Sequence, residues 1–172
     1  MQAITIESAR ADLRLAKSIF YEKLLSNTDY YMLNLAAYHA GQAMEKLIKD
    51  LIREHCSNDV YRDLYDKHNF ESLLKALNEK LPDFNENHKF IAVNADELSK
   101  FNNLRYGKQY IEKDTVYLLL KEAKNFFREM ETAYLSEFSD TKQNHIFAAR
   151  VLKERGCIKL TDTGADKKER DD

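Results

Sequence analysis

The chain has 172 residues, of which 44% are hydrophobic and 33% charged, enough apolar material for one domain-sized core under a solvated surface. Four glycines and one proline are too few for the many tight turns of a sandwich or barrel, so few, long helices are expected. A formal net charge of -2 excludes a chain-wide electrostatic footprint for nucleic acid and leaves only a local basic groove.

In chain order, Ala9, Leu13, Ala16, Phe20 and Leu24 step by three and four, which predicts an amphipathic helix from Ile6 to about Ser26. Ser26-Asn27-Thr28-Asp29 breaks it and offers N-cap side chains. A second, long helix is predicted from Tyr30 to His55, with Leu33, Ala37, Ala40, Met44, Leu47, Ile48, Leu51 and Ile52 on its apolar face. Its other face, Tyr38, Gln42, Glu45, Lys46, Lys49 and Arg53, is one polar stripe. Ser57 to Lys67 reads as a polar connection. Asn69 then caps a short helix that buries Phe70, Leu73, Leu74 and Leu77, and Leu81-Pro82-Asp83 ends it. A fourth helix is expected over Phe90–Leu104. Arg105 to Lys113, with Gly107 at its middle, interrupts the periodicity. Asp114 or Thr115 caps a fifth helix carrying Val116, Leu119, Leu120, Ala123, Phe127, Met130 and Tyr134.

The expected architecture is therefore an all-α, up-and-down bundle of about five helices over residues 1–137. Residues 138–160 are expected to add a C-terminal helix and a short extended arm, and residues 161–172 a disordered, charged tail. Cys56 and Cys157 have no metal-ligand spacing and are expected to be reduced thiols of a cytoplasmic protein. No basic-then-apolar leader opens the chain, and no stretch approaches roughly 18 consecutive apolar residues, so no membrane partner is expected.

Three segments resemble one known family. Ala40-Gly41-Gln42-Ala43-Met44-Glu45-Lys46-Leu47-Ile48-Lys49 on the second helix is similar to the Gln-Ala-x-Glu-Lys-x-x-Lys signature of HEPN domains. His68-Asn69-Phe70 resembles the family's His-Asp-Leu helix start, and Asn103-Leu104-Arg105-Tyr106 its Arg-Tyr turn. The order and spacing also match, over about Ile6 to Leu135. The resemblance implies a bundle that commonly homodimerises. It also implies one of several roles: a nucleotide-binding module, a toxin or accessory subunit paired with a small nucleotidyltransferase, or a metal-independent ribonuclease. Such ribonucleases carry an Arg followed, after four to six residues, by His. Here Gln109, Tyr110, Ile111 and Glu112 stand where that histidine would be, so the usual ribonuclease motif is absent.

Arg105 is the leading site candidate, because a guanidinium presents a permanently charged fork of donors to phosphate oxygens. The competing reading is a loop tie to a helix end or a carboxylate. Tyr110 stands nearest the missing histidine and is a poor general base, its free pKa being about 10. It is suited to hydrogen bonding, stacking or plain packing. Tyr106 is expected to pack. Lys108, Lys46 and Lys49 are the candidates to extend a phosphate-binding surface around Arg105, while for the polar stripe of the second helix the reading favoured by the sequence is an ordinary solvated helix face with paired charges. Arg105 and Tyr110 are the first catalytic candidates, and the catalytic residues stay unassigned. His39 and His68 are weak acid–base candidates, His68 being expected at its helix start as a structural residue. His55, His88 and His145 are too scattered for a metal-ligand set. No phosphate-cradling glycine loop and no His-Glu-x-x-His occur, so no cofactor and no metal are expected. The expected function is a module that binds a nucleotide or RNA phosphate, or a partner nucleotidyltransferase, in a toxin–antitoxin or defence setting. The alternatives are a degenerate ribonuclease toxin and a dimerisation adaptor.

Overall fold

The computed structural model describes residues 2–23, 30–107 and 109–139. Residues 1–134 form one compact unit. Residues 135–172 form a second unit, of which only the end of one helix, to Ser139, is described. The expected extension over 138–160 lies outside the described residues except for that helix end, and the expected tail over 161–172 lies wholly outside them. Every regular element among the described residues is a helix: α1 (Ala3–Lys23), α2 (Tyr30–His55), α3 (Asn58–Tyr65), α4 (Phe70–Asn78), α5 (Phe84–Asn87), α6 (Lys89–Val93), α7 (Ala95–Ser99), α8 (Phe101–Arg105) and α9 (Lys113–Ser139).

The first two helices pack antiparallel, because the start of α1 meets the end of α2. The Gln2 backbone N–H donates to the Asp50 carboxylate at 2.7 Å, and Lys46 Nζ donates to Ser8 Oγ at 2.7 Å. Ile6, Ala9, Leu13, Ala16 and Phe20 form the buried stripe of α1. Met44, Leu47, Ile48 and Ile52 are fully buried on α2. Burying a side chain of that size contributes roughly 1.5–3 kcal/mol, so α2 is the spine of the core. Helix α9 closes the bundle with Val116, Leu119, Leu120, Ala123, Phe126, Phe127, Met130 and Tyr134. Arg10 of α1 clasps it by an ion pair to Glu131 while stacking over the Phe127 ring.

Two stretches differ from expectation. The polar connection after α2 holds a helix, α3, because the Ser57 side chain caps it from the Val60 N–H at 3.4 Å. The single helix expected over Phe90–Leu104 is three short ones, α6 to α8, preceded by α5. The chain leaves helical geometry at His88 (φ -117°, ψ 50°) and at Asn94 (φ -101°, ψ 15°). There local side chains take over backbone partners: Asn94 Nδ2 donates to the Phe90 carbonyl, and Ser99 Oγ to the Ala95 carbonyl, a competition that Asn and Ser are suited to win. Ser99 Oγ also accepts the Phe70 N–H at 2.8 Å, tying the start of α4 to the end of α7.

His88 anchors this segment to α9. Its side chain is 10% exposed and packs on Phe84 at 4.4 Å and Phe126 at 5.0 Å between ring centroids. Burial lowers its pKa, opposed by the weaker pull of Glu129. The fold thus favours the neutral ring. Stability is whole above the ordinary imidazole pKa of 6.5. It is lost as pH falls below that value, because the unfolded chain takes up a proton that the folded chain resists. The loss continues down to the lower folded pKa. Urea titrations across this window should show a wild-type acid limb that His88→Leu flattens. Equal pH slopes in the two proteins would disprove it.

Candidate functional site

The segment after α8 is held by one side chain that its sequence position does not advertise. Asn34, on α2, is completely buried. Its Nδ2 donates to the Leu104 carbonyl at 3.3 Å and to the Gln109 carbonyl at 2.6 Å, and its Oδ1 accepts the Ile111 N–H at 3.2 Å. A single amide thus staples both ends of the loop to the spine helix. Gly107 turns the loop at φ +67°, a left-handed conformation that only glycine adopts without strain. Gly41 of α2 lets α8 lie close: a Cβ there would stand 2.7 Å from Phe101 Cδ2.

Arg105 is exposed at the end of α8. Its guanidinium carbon lies 5.7 Å from the ring centroids of both Tyr38 and Tyr106. Among the described residues no carboxylate is ion-paired with it. Among those residues its donors therefore face no anion, while two tyrosine rings hold its plane. Tyr106 does not pack into the core as expected; it is 68% exposed. Tyr110 is 71% exposed and meets Tyr30 edge to face at 5.8 Å. Lys108 lies outside the described residues. A cleft of about 370 Å³ opens beside the loop, lined by Phe90, Asn94, Phe101, Tyr110 and Ile111 among others. Glu97 borders it, and none of its described lining residues is a lysine or arginine, so Arg105, which is not among them, is the group suited to an anion.

The α2 lysines do not turn toward Arg105. Lys46 Nζ is held on α1, 2.5 Å from Asp12 Oδ2 and 2.7 Å from Ser8 Oγ. Lys49 Nζ sits 2.8 Å from Glu45 Oε1 and donates to the Tyr65 carbonyl at 2.5 Å. Nor is the stripe an ordinary solvated face. Glu45 is 4% exposed, and His68 Nδ1 lies 2.9 Å from its Oε1. A buried carboxylate needs such partners. His68 therefore sits at the helix start and also satisfies the carboxylate of a neighbouring helix. His39 has a neighbour that its own helix does not provide: Asp12 Oδ1 of α1, 3.1 Å from His39 Nδ1. The His39 ring also meets the Tyr38 ring edge to face at 5.2 Å, so His39 and Arg105 both touch Tyr38.

Asn34 and Asp12 are the site residues absent from the sequence-based candidates. Asn34 leaves one trace in sequence, a polar residue beside Leu33 and Ala37 on a face that is otherwise apolar. Asp12 leaves none, since its partners come from another helix. Among the described residues no group of three or more metal-ligating side chains is arranged to hold an ion, and no helix is long and apolar enough to cross a membrane.

No curated protein and no solved structure gives a match to the chain. The family model described as the HEPN domain matches residues 4–133, from the first turn of α1 to the last turns of the α9 core stripe. With the helical bundle, the Glu45–Lys49 stripe and the Arg105 turn all inside that span, the chain belongs to the HEPN domain family.

Proposed function

We propose that this HEPN chain is a binding module that takes a phosphate of a nucleotide or of RNA at Arg105. One observation carries the reading. Arg105 is an exposed guanidinium with no carboxylate paired to it among the described residues, stacked between Tyr38 and Tyr106 on a loop stapled by Asn34. Tyrosine faces beside such a cation suit a base stacked next to its phosphate. Lys46 and Lys49 are engaged in ion pairs of their own and have at most an auxiliary part, through the field they add to the surface. The family's habit of dimerising supports a homodimer, and the exposed Tyr30–Tyr110 pair beside the loop is a suitable contact. Light scattering at twice 20.2 kDa is the expected result, and a monomer at micromolar concentration would count against it. A nucleotidyltransferase partner and a toxin–antitoxin setting rest on the family alone.

Arg105→Ala should keep its urea midpoint while nucleotide affinity falls at least about tenfold, the range for loss of a charge-assisted contact. Calorimetry with a mononucleotide checks this, and unchanged binding would remove the reading. A second reading, a ribonuclease, has one specific observation in its favour. Asp12 holds His39 Nδ1 and leaves Nε2 for proton transfer, and both His39 and Arg105 touch Tyr38. Cleavage of RNA by the metal-free protein, abolished in His39→Ala, would establish it. An inert wild-type protein would dismiss it.

A further inference from the structure

We propose that Arg105 is one end of a strip for a single nucleic-acid strand, and that His68 binds a second phosphate of the same strand. This rests on the reading of Arg105 as a phosphate site and extends it from a mononucleotide to an oligonucleotide.

The first support is register. Tyr38, Gln42, Glu45 and Lys49 recur at steps of four, three and four, so they share one stripe of α2. Arg105 stacks on the first of them at 5.7 Å. His68 bonds to the third at 2.9 Å, and Gln42 Nε2 donates to that same Glu45 at 3.3 Å. Seven residues of helix separate the two anchor levels by about 10 Å. The second support is independent of that stripe. The Phe70 N–H to Ser99 Oγ bond places the residues around His68 beside the end of α7. From there α8 runs along α2 past Gly41 and ends at Arg105. Two separate sets of contacts thus put Arg105 and His68 at opposite ends of one seam.

The chemistry along the seam repeats. Each end has a cation beside an exposed tyrosine ring. Arg105 lies 5.7 Å from Tyr106, which is 68% exposed, and Lys49 lies 6.0 Å from Tyr65, which is 57% exposed. Alternating cations and aromatic faces are what a single strand needs, because phosphates take the charges and bases of any identity stack on the rings. Glu45 does not oppose this. It is buried and matched by Lys49 at 2.8 Å, and it holds His68 by Nδ1. The nitrogen left for a ligand is Nε2 on a half-exposed ring, which in the protonated imidazole is a donor. A mononucleotide would fill one end only.

The test compares uridine monophosphate with the trinucleotide UpUpU by calorimetry. Wild type should bind UpUpU at least about tenfold tighter than the mononucleotide, the size of one added stacking contact. His68→Gln, which keeps an amide donor for Glu45, should erase that advantage and leave mononucleotide affinity unchanged. Tyr65→Ala, which leaves the Glu45 carboxylate untouched, should do the same. It keeps the test decisive if His68→Gln unfolds. Arg105→Ala should weaken both ligands. Equal affinity for the two ligands in wild type would overturn the strip and leave the single-phosphate reading standing. An advantage for UpUpU that survives both His68→Gln and Tyr65→Ala would also overturn it. Failure of wild type to bind either ligand would overturn the reading of Arg105 and the strip together.

Discussion

Asn34→Leu is expected to lower the stability of the bundle by about 3 kcal/mol and phosphate affinity at Arg105 by about tenfold. Leucine fills nearly the same space, so little of the effect is a cavity. What it removes is the hydrogen bonding of the Gln109 carbonyl and of the Ile111 N–H; the Leu104 carbonyl loses one donor and keeps the Gly107 N–H. These groups lie against a side chain with no exposure. A buried polar group left without a partner costs about 1–3 kcal/mol, and solvent re-entering the loosened loop recovers part of two such losses. The loss of affinity has a separate cause. Arg105 is presented in one position because both ends of its loop are fixed, and a looser loop adds ordering entropy to every binding event. Asn34→Asp sharpens the test. It keeps an acceptor for Ile111 but sets a carboxylate against two carbonyl oxygens, so it should be no milder than leucine. Urea denaturation and calorimetry check both effects. An Asn34→Leu protein with wild-type midpoint and wild-type binding would refute the staple.

The second large effect lies at Glu45. Glu45→Ala should cost about 3 kcal/mol, because removing one partner of a buried ion pair strands the other. The stranded group is Lys49 Nζ, whose side chain is only 14% exposed and keeps just the Tyr65 carbonyl. His68 loses its partner too, but its half-exposed ring rehydrates at little cost. Glu45→Gln should be milder, since the amide can still accept from Lys49 and His68. For a domain of this size the alanine variant should melt on the order of 10 °C lower. A shift of less than one or two degrees would mean that the stripe is solvated after all, as its sequence alone suggests.

These two residues mark where the sequence stopped being informative. Helical periodicity made the bundle legible. The steps of three and four in α1, α2, α4 and α9 reflect which face each helix buries, and that is a local property of the chain. The span Tyr30–His55 is the observed α2, and Asn69 caps α4 through the Ser72 N–H as expected. Periodicity failed over residues 84–105, where Asn94 and Ser99 bond to the backbone and break one expected helix into short ones. Propensity alone does not say which side chain will win that competition, because the outcome depends on contacts such as the Ser99–Phe70 bond.

For the site, sequence by itself determined the family, the position of the turn at Arg105, the glycine at the middle of that stretch, and the missing histidine. The tertiary structure decided everything that depends on another helix. It stacked Arg105 on Tyr38 with no carboxylate paired to it among the described residues, turned Lys46 away to Asp12, buried Glu45 against His68, and made Asn34 the support of the loop. The reason is physical. A helix repeats its faces every few residues, so burial of apolar groups is written locally. The partner of a charge or an amide is set by distance in space, and those of Glu45 (His68), Lys46 (Asp12) and Asn34 (Ile111) lie 23 to 77 residues away along the chain.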